Sequence, residues 1–233
     1  MYYKYKLYFV AVSSFEKEDI TMDENQKARN RKVAEKIIKG LKSRHMEGFF
    51  AEDREEALKI ALDLIPEGSS VSWGGTMSAK EIGLTQTLAE GNYNYIDRNG
   101  AGTKEEKRKK EIEAYGCDYY IASSNAITED GILVNLDGNA NRVSCIAYGP
   151  EHVIMIVGMN KITPDLDAAI SRTRHEAAPI NAQRFDIDTP CNLTGACGDC
   201  KSPDSICCQL LITRLERHPD RMKVILVNDS LGY

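Results

Sequence analysis

From Asp23 to Arg44 the apolar residues Val33, Ile37, Ile38 and Leu41 fall on one helical face, with lysines and arginines on the other. That spacing predicts an amphipathic helix lying on a core. "GFFA" at 48–51 reads as a short strand. Asp53, with Glu56 three residues on, is a capping-box-like start for a helix using Ala57, Ile60, Ala61 and Leu64, which "PEG" at 66–68 stops. "SSVSW" then reads as a strand, "GGTMS" as a loop and "AKEIGLTQTLAEG" as a helix ending at Gly91. The strand "NYNYID", a charged helix from Lys104 to Tyr115 and the strand "DYYIAS" continue the alternation. Strand–helix alternation of this kind predicts a parallel sheet covered on both faces.

The pattern changes after Ser124, where Asp-Gly pairs at 130–131 and 137–138 stand between apolar runs. Both are read as hairpin turns, giving an antiparallel part after the parallel one. Asp165 to His175 reads as a helix, Asp204 to Arg217 as another, and "MKVILVND" as a final buried strand. The fold class expected is α/β, a mostly parallel sheet covered by helices with an antiparallel hairpin part.

The chain has 233 residues, 42% hydrophobic and 28% charged, enough for one main soluble domain without disulfides. Thirty Lys and Arg against 35 Asp and Glu leave a net charge of -5. No global field attracts nucleic acid or an anionic membrane, so neither is an expected partner. The apolar run Leu7 to Val12 is too short for a signal sequence or a membrane span. Residues 1–21 are read as an upstream extension, with Met22 as the natural start of a domain over 22–233. The expected compartment is cytoplasmic and reducing, which makes the seven cysteines thiols or metal ligands rather than disulfides.

Three stretches carry candidate chemistry. In "SWGGTMSAKE" a strand ends in Gly74 and Gly75 and enters a helix, with Ser72, Thr76 and Ser78 hydroxyls nearby. Free backbone N–H groups and a positive helix end there suit phosphate or carboxylate; a tight turn with a Ser or Thr cap is the alternative. No Walker A lysine and no three-glycine dinucleotide fingerprint is present. The polar run Ser123 to Arg142 fails as an EF-hand, having Arg142 where glycine and Tyr148 where glutamate are needed. Asn125 and Thr128 lie just beyond a predicted parallel strand, where open α/β sheets place their ligands, and are taken as ligand-binding.

The third stretch, "PCNLTGACGDCKSPDSICC", spaces Cys191, Cys197, Cys200, Cys207 and Cys208 as C-x5-C-x2-C-x6-C-C. Four thiolates suit zinc or an iron–sulfur cluster, and spacing does not separate the two. Cys191, Cys197, Cys200 and Cys207 are the expected ligands, with Cys208 a spare or alternative; a redox dithiol and unconnected thiols are the other readings. Cys117 and Cys145 read as packed hydrophobes. Arg172, Arg174 and Arg184 around His175 suit either an anionic substrate or a solvated helix face. Glu81 and Glu129 are weaker candidates for nucleophile or base.

"SWGGTMS", "SSNAITEDGILVNLDGNANRV", "YGPEHVIMIVGMNKI" and the cysteine stretch together resemble the LUD-domain family, named for lactate utilization proteins. The resemblance covers Asp23 to Tyr233, and its cysteines are similar to those of a stand-alone, cysteine-bearing subgroup. It implies a NagB/RpiA/CoA-transferase-like fold and a setting in bacterial lactate or related 2-hydroxy acid oxidation, beside iron–sulfur partner proteins. Three functions stay open: an accessory or redox component carrying Fe–S or zinc, an enzyme acting on a phosphate- or CoA-bearing small molecule, and a non-catalytic metal-stapled interaction module.

Overall fold

Helix α1 (Glu24–Ser43) begins at Asp23, whose carboxylate accepts from the Asn25 amide at 2.7 Å, and buries Ala34, Ile37 and Leu41. The computed structural model describes residues 22–98 and 100–233, so the expected extension over 1–21 lies outside the described residues. β1 (Glu47–Ala51) follows, then α2 (Arg54–Asp63), capped by Asp53, which accepts from the Glu56 amide at 2.8 Å. β2 (Ser70–Trp73) leads to α3 (Met77–Glu81) and α4 (Leu84–Glu90). One helix was expected here, but Gly83 adopts φ 80° and breaks it, a left-handed conformation that favours glycine.

The chain continues through β3 (Asn94–Tyr95), α5 (Lys104–Tyr115), β4 (Tyr119–Ala122), β5 (Ala126–Thr128), β6 (Leu133–Asp137) and α6 (Asn141–Ala147). β7 (His152–Gly158), a short 3-10 turn at Met159–Lys161 and β8 (Ile162–Thr163) come next. The last elements are α7 (Leu166–Arg172), a π turn, α8 (Ala178–Ala182), α9 (Pro190–Thr194), β9 (Gln209–Thr213) and β10 (Met222–Val227).

One sheet has the order β1-β10-β7-β4-β2-β3, with every neighbouring pair parallel. Its central strands are apolar on both sides. Val153, Met155 and Val157 of β7, with Met222, Val224 and Leu226 of β10, pack toward α1, α6 and the second sheet. Ile154, Ile156, Ile225 and Val227 pack toward α2, α3 and α4. Each such side chain contributes about 1.5–3 kcal/mol on burial, so this double layer fixes where the strand ends lie. The second sheet, β8-β5-β6-β9, is mixed: β5 runs parallel to β8, and β6 runs antiparallel to β5 and β9. The architecture is thus the expected mostly parallel α/β sheet with an antiparallel part.

Two expectations in that part are corrected. Asp130–Gly131 turns the β5–β6 hairpin, with Gly131 at φ 89°, but Asp137–Gly138 leads into α6. β6 is already paired along both edges, so the chain leaving it has no edge on which to fold back. The helix expected over 204–217 is instead β9, whose five residues all pair with β6. A helix there would leave the outer edge of β6 without backbone partners.

Candidate functional site

Connections leave β2 and β4 in opposite directions, β2 passing outward to β3 and β4 inward to β7. Between such strands, at their carboxyl ends, an open α/β sheet forms a crevice. A cleft of about 460 Å³ lies there, walled by the segments after β2, β3, β4, β6 and β7, a volume suited to a metabolite. A larger depression of about 700 Å³ borders residues 146–152, 211–219 and Arg221, near the amino ends of β7 and β10. Its buried cation, Arg221, is matched by Glu216 at 3.0 Å and by three backbone carbonyls, so it has little left to offer a ligand.

In the first cleft the central group is Lys161, only 3% exposed. Its Nζ donates to Ser78 Oγ at 2.9 Å and Ser123 Oγ at 3.0 Å, and no carboxylate among the described residues forms an ion pair with it. Burial first, then the positive charges of Arg172 and Arg142, pull this amine down to a pKa of about 7; Glu81 opposes them. An ordinary lysine titrates near 10.4, so an amine this low in a cleft is a functional candidate on physical grounds. In the sequence it stands within "MNKI", part of the family resemblance but with no role assigned, and only the meeting of three strand ends buries it.

Two guanidinium groups join it. Arg142 Nη2 donates to Asn125 Oδ1 at 3.0 Å and the Leu136 carbonyl at 2.6 Å, while its Nε stands 3.4 Å from Asp137 Oδ2 without hydrogen-bond geometry. Arg98 Nε is buried with no hydrogen-bond partner among the described residues. Desolvation lowers the Arg142 pKa most, Asp137 opposes it, and like-charge repulsion from Arg98 adds to the lowering. An anion between them would relieve both effects. Arg98 carried no sequence signal beyond its charge.

The residues predicted to bind ligand divide. Gly74, Gly75, Thr76 and Asn125 line the cleft. Ser78 is fully buried beneath it as the partner of Lys161. Thr128 faces away, bonded to Asp130 and to the Ile132 amide inside the hairpin turn. Asn125 has a positioning part: besides holding Arg142, its Oδ1 accepts from the Leu136 amide at 2.9 Å. The helix start has the geometry of a tight turn with a Thr cap. α3 has five residues, Thr76 takes the Ala79 amide at 3.3 Å, and Ser72 donates to the Ile96 carbonyl. The glycine pair serves close approach. A Cβ on Gly74 would lie 2.5 Å from Tyr120 Oη and 2.7 Å from Arg142 Cγ, and Gly75 sits at φ +53° beside Arg98.

Of the arginine cluster, Arg184 reaches the cleft. Arg172 is a brace, donating to the backbone carbonyls of Asn125 and Asn160 and to Glu176. Arg174 pairs with Asp199, and His175 is exposed. Glu81 accepts from the Gly232 amide at 2.8 Å, and Glu129 pairs with Lys36 at 2.7 Å.

The cysteine segment borders the same cleft through Ile187 and Ile206. It is tied to β6 by the Cys208 amide, which donates to the Asp137 carbonyl at 3.0 Å. Cys191 is buried, Cys197 and Cys200 are half-buried, and Cys207 and Cys208 are exposed. Although exposed as a residue, Cys207 has its thiol pushed up to about 11, first by desolvation and then by the neighbouring Cys191, Cys197, Cys200 and Cys208. The five thiols are therefore electrostatic neighbours, and their chemistry suits a thiophilic ion. They do not stand at coordination spacing: among the described residues no three His, Cys, Asp or Glu side chains are placed to hold a metal. No helix among them is long and apolar enough to cross a membrane.

Solved structures similar to this chain include a DUF162 family protein from Deinococcus radiodurans, determined at 1.70 Å. It aligns with a TM-score of 0.49 at 13% identity over 85% of this chain and 98% of that one. The delta subunit of eIF2B from Chaetomium thermophilum aligns with a TM-score of 0.33 at 16% identity over 50% of this chain and 52% of that one. No curated protein matches. The family model for the LUD domain matches residues 34–227, a span that includes Gly74, Arg98, Asn125, Arg142, Lys161 and all seven cysteines. The chain belongs to the LUD domain family.

Proposed function

We propose that the cleft between β2 and β4 holds a small organic acid of the 2-hydroxy or 2-oxo type. Family membership makes the chain lactate-utilization-like at the level of the family. The observation that carries the finer reading is the buried Lys161, without a carboxylate partner among the described residues, in the same cleft as Arg142 and Arg98. A buried lysine with no ion-paired carboxylate among the described residues favours an anionic guest. A carboxylate can lie against the guanidinium groups while the carbon next to it faces the lysine.

Thermal-shift and calorimetric titration with L-lactate, pyruvate and glyoxylate, beside inorganic phosphate, acetyl phosphate and CoA, tests this. Saturable stabilisation by the organic acids is expected, about 2.7 kcal/mol at a hundred times Kd, and loss of it in Lys161→Met. Stabilisation by the phosphates or CoA alone would favour an enzyme acting on phosphate- or CoA-bearing molecules. No response to any of them removes the reading.

A second reading rests on the gathering of thiols around Cys207. Cys191, Cys197, Cys200 and Cys207 would hold an iron–sulfur cluster or zinc, with Cys208 in reserve. An iron–sulfur cluster would supply one-electron transfer toward iron–sulfur partner proteins; zinc would supply a staple. Anaerobic purification followed by metal analysis and a visible spectrum decides it. A colourless protein containing neither iron nor zinc rejects this part while leaving the cleft untouched.

A further inference from the structure

We propose that Lys161 is a nucleophile that forms a Schiff base with the carbonyl carbon of a 2-oxo acid bound in the cleft. The proposal rests on the organic-acid reading and adds the reactive form of the substrate and the bond that is made.

Position carries it. Lys161 stands on the turn directly after β7, Ser123 directly after β4 and Ser78 in the helix after β2, three adjacent strands whose ends converge on one nitrogen. Backbone closes the far side. Gly232 lies so near that a Cβ there would be 3.3 Å from Nζ and 3.0 Å from Ser78 Oγ. The Asn160 side chain holds this tail, accepting from the Leu231 amide at 3.1 Å. The amine is thus confined, with the cleft as its open side. A lysine meant only as a counter-charge gains from solvent or an ion-paired carboxylate, and this one is 3% exposed and forms no ion pair among the described residues. Desolvation beside other cations is how a lysine is made nucleophilic at neutral pH, and the amine's low pKa agrees.

The step balances with groups in hand. The carboxylate of the 2-oxo acid sits against Arg142 and Arg98, which places its ketone toward Lys161. The lone pair of the neutral amine forms the N–C bond as the C=O π pair moves to oxygen. That oxygen takes a proton, giving a carbinolamine. The oxygen thus takes one of the two amine protons and the hydroxyl leaves as water with the other, forming C=N, so one neutral amine and one ketone give one neutral imine and one water. Ser78 and Ser123, each within 3.0 Å of Nζ and 3.3 Å of each other, form a short hydroxyl chain able to pass the protons. A 2-hydroxy acid has no electrophilic carbon, so it binds in the same place without reacting.

The test uses the full chain with pyruvate and sodium borohydride, which reduces an imine to a stable secondary amine. Mass spectrometry is expected to find a single carboxyethyl group on the peptide containing Lys161, and none when L-lactate replaces pyruvate. Lys161→Arg keeps a cation for binding and is expected to cut the adduct at least about tenfold. Should that variant fold poorly, the Ser78→Ala and Ser123→Ala variants provide the comparison, each expected to slow trapping. Pyruvate that stabilises the protein yet leaves no adduct on Lys161 overturns the Schiff base and spares the organic-acid reading. Pyruvate that neither stabilises nor labels overturns both. Labelling spread over surface lysines and unchanged in the variants also overturns the Schiff base.

Discussion

The Nζ of Lys161 lies 2.9 Å from the Oγ of Ser78, a residue 83 positions earlier, and the two meet across the carboxyl end of β4, which lies between their strands. Buried charge at that point makes stability depend on pH in a defined direction. The amine titrates at about 7 in the folded protein against 10.5 when free. Between these values the unfolded chain holds the extra proton, so stability rises with pH across that window. Below pH 7 both states are protonated and the folded state bears the full cost of burial.

Lys161→Met is therefore expected to be more stable than the parent near pH 6, on the order of several kcal/mol at most. The gap should close as pH rises toward about 10. Ser78 and Ser123 remain bonded to each other, 3.3 Å apart. Melting temperatures of both proteins measured across this range check it; curves that stay parallel would show that Lys161 keeps an ordinary pKa.

Gly74→Ala places a Cβ against Tyr120 and the aliphatic stem of Arg142. The expected cost is about 1–3 kcal/mol, together with weaker stabilisation by organic acids because Arg142 must move. Gly68→Ala serves as the comparison: its φ of +83° is strained for alanine, but nothing lies within 4 Å of the added carbon. It should cost roughly 1 kcal/mol and leave ligand response unchanged. Equal ligand response in the two variants would detach Gly74 from the site.

Arg172→Met leaves the carbonyls of Asn125 and Asn160 without their donor. A loss of about 2–4 kcal/mol is expected in denaturant unfolding. Removing this cation also lets the Lys161 pKa rise, which should slow borohydride trapping at neutral pH. Arg172→Lys restores charge without the planar fork. It should recover much of the trapping rate and little of the stability. A variant in which both recover together would make Arg172 a purely structural brace.

With the Cys207 thiol near 11, little thiolate exists at neutral pH. Alkylation of Cys207 by iodoacetamide is expected to run at least about 100-fold below an ordinary thiol of pKa 8.5 and to climb with pH up to about 11. Peptide mapping over a pH series measures this. Modification at the rate of a free thiol would mean that the Cys207 sulfur is not desolvated in solution.

Local chemistry made much of this fold legible. Thr103 and Glu106 form a capping box at the head of α5, which spans the predicted Lys104–Tyr115. The apolar run Val224–Val227 of β10 reads as a strand buried on both faces. Those signals live within one or two turns of chain. β9 was misread because Leu210–Leu211–Ile212 satisfies a helical stripe as readily as a strand, and the deciding factor was the open edge of β6 more than seventy residues away.

The candidate site divides along the same line. Sequence alone determined that a glycine-rich turn and an Asn-bearing loop end parallel strands, and that thiols cluster near the carboxyl end of the chain. Tertiary structure alone decided that Gly74 admits Tyr120 and Arg142 at close approach, and that Asn125 holds an arginine. It also decided that Lys161 is the buried amine between them. The physical reason is desolvation: a side chain's charge can be read from its identity, whereas its cost and its reactivity depend on what the rest of the chain packs around it.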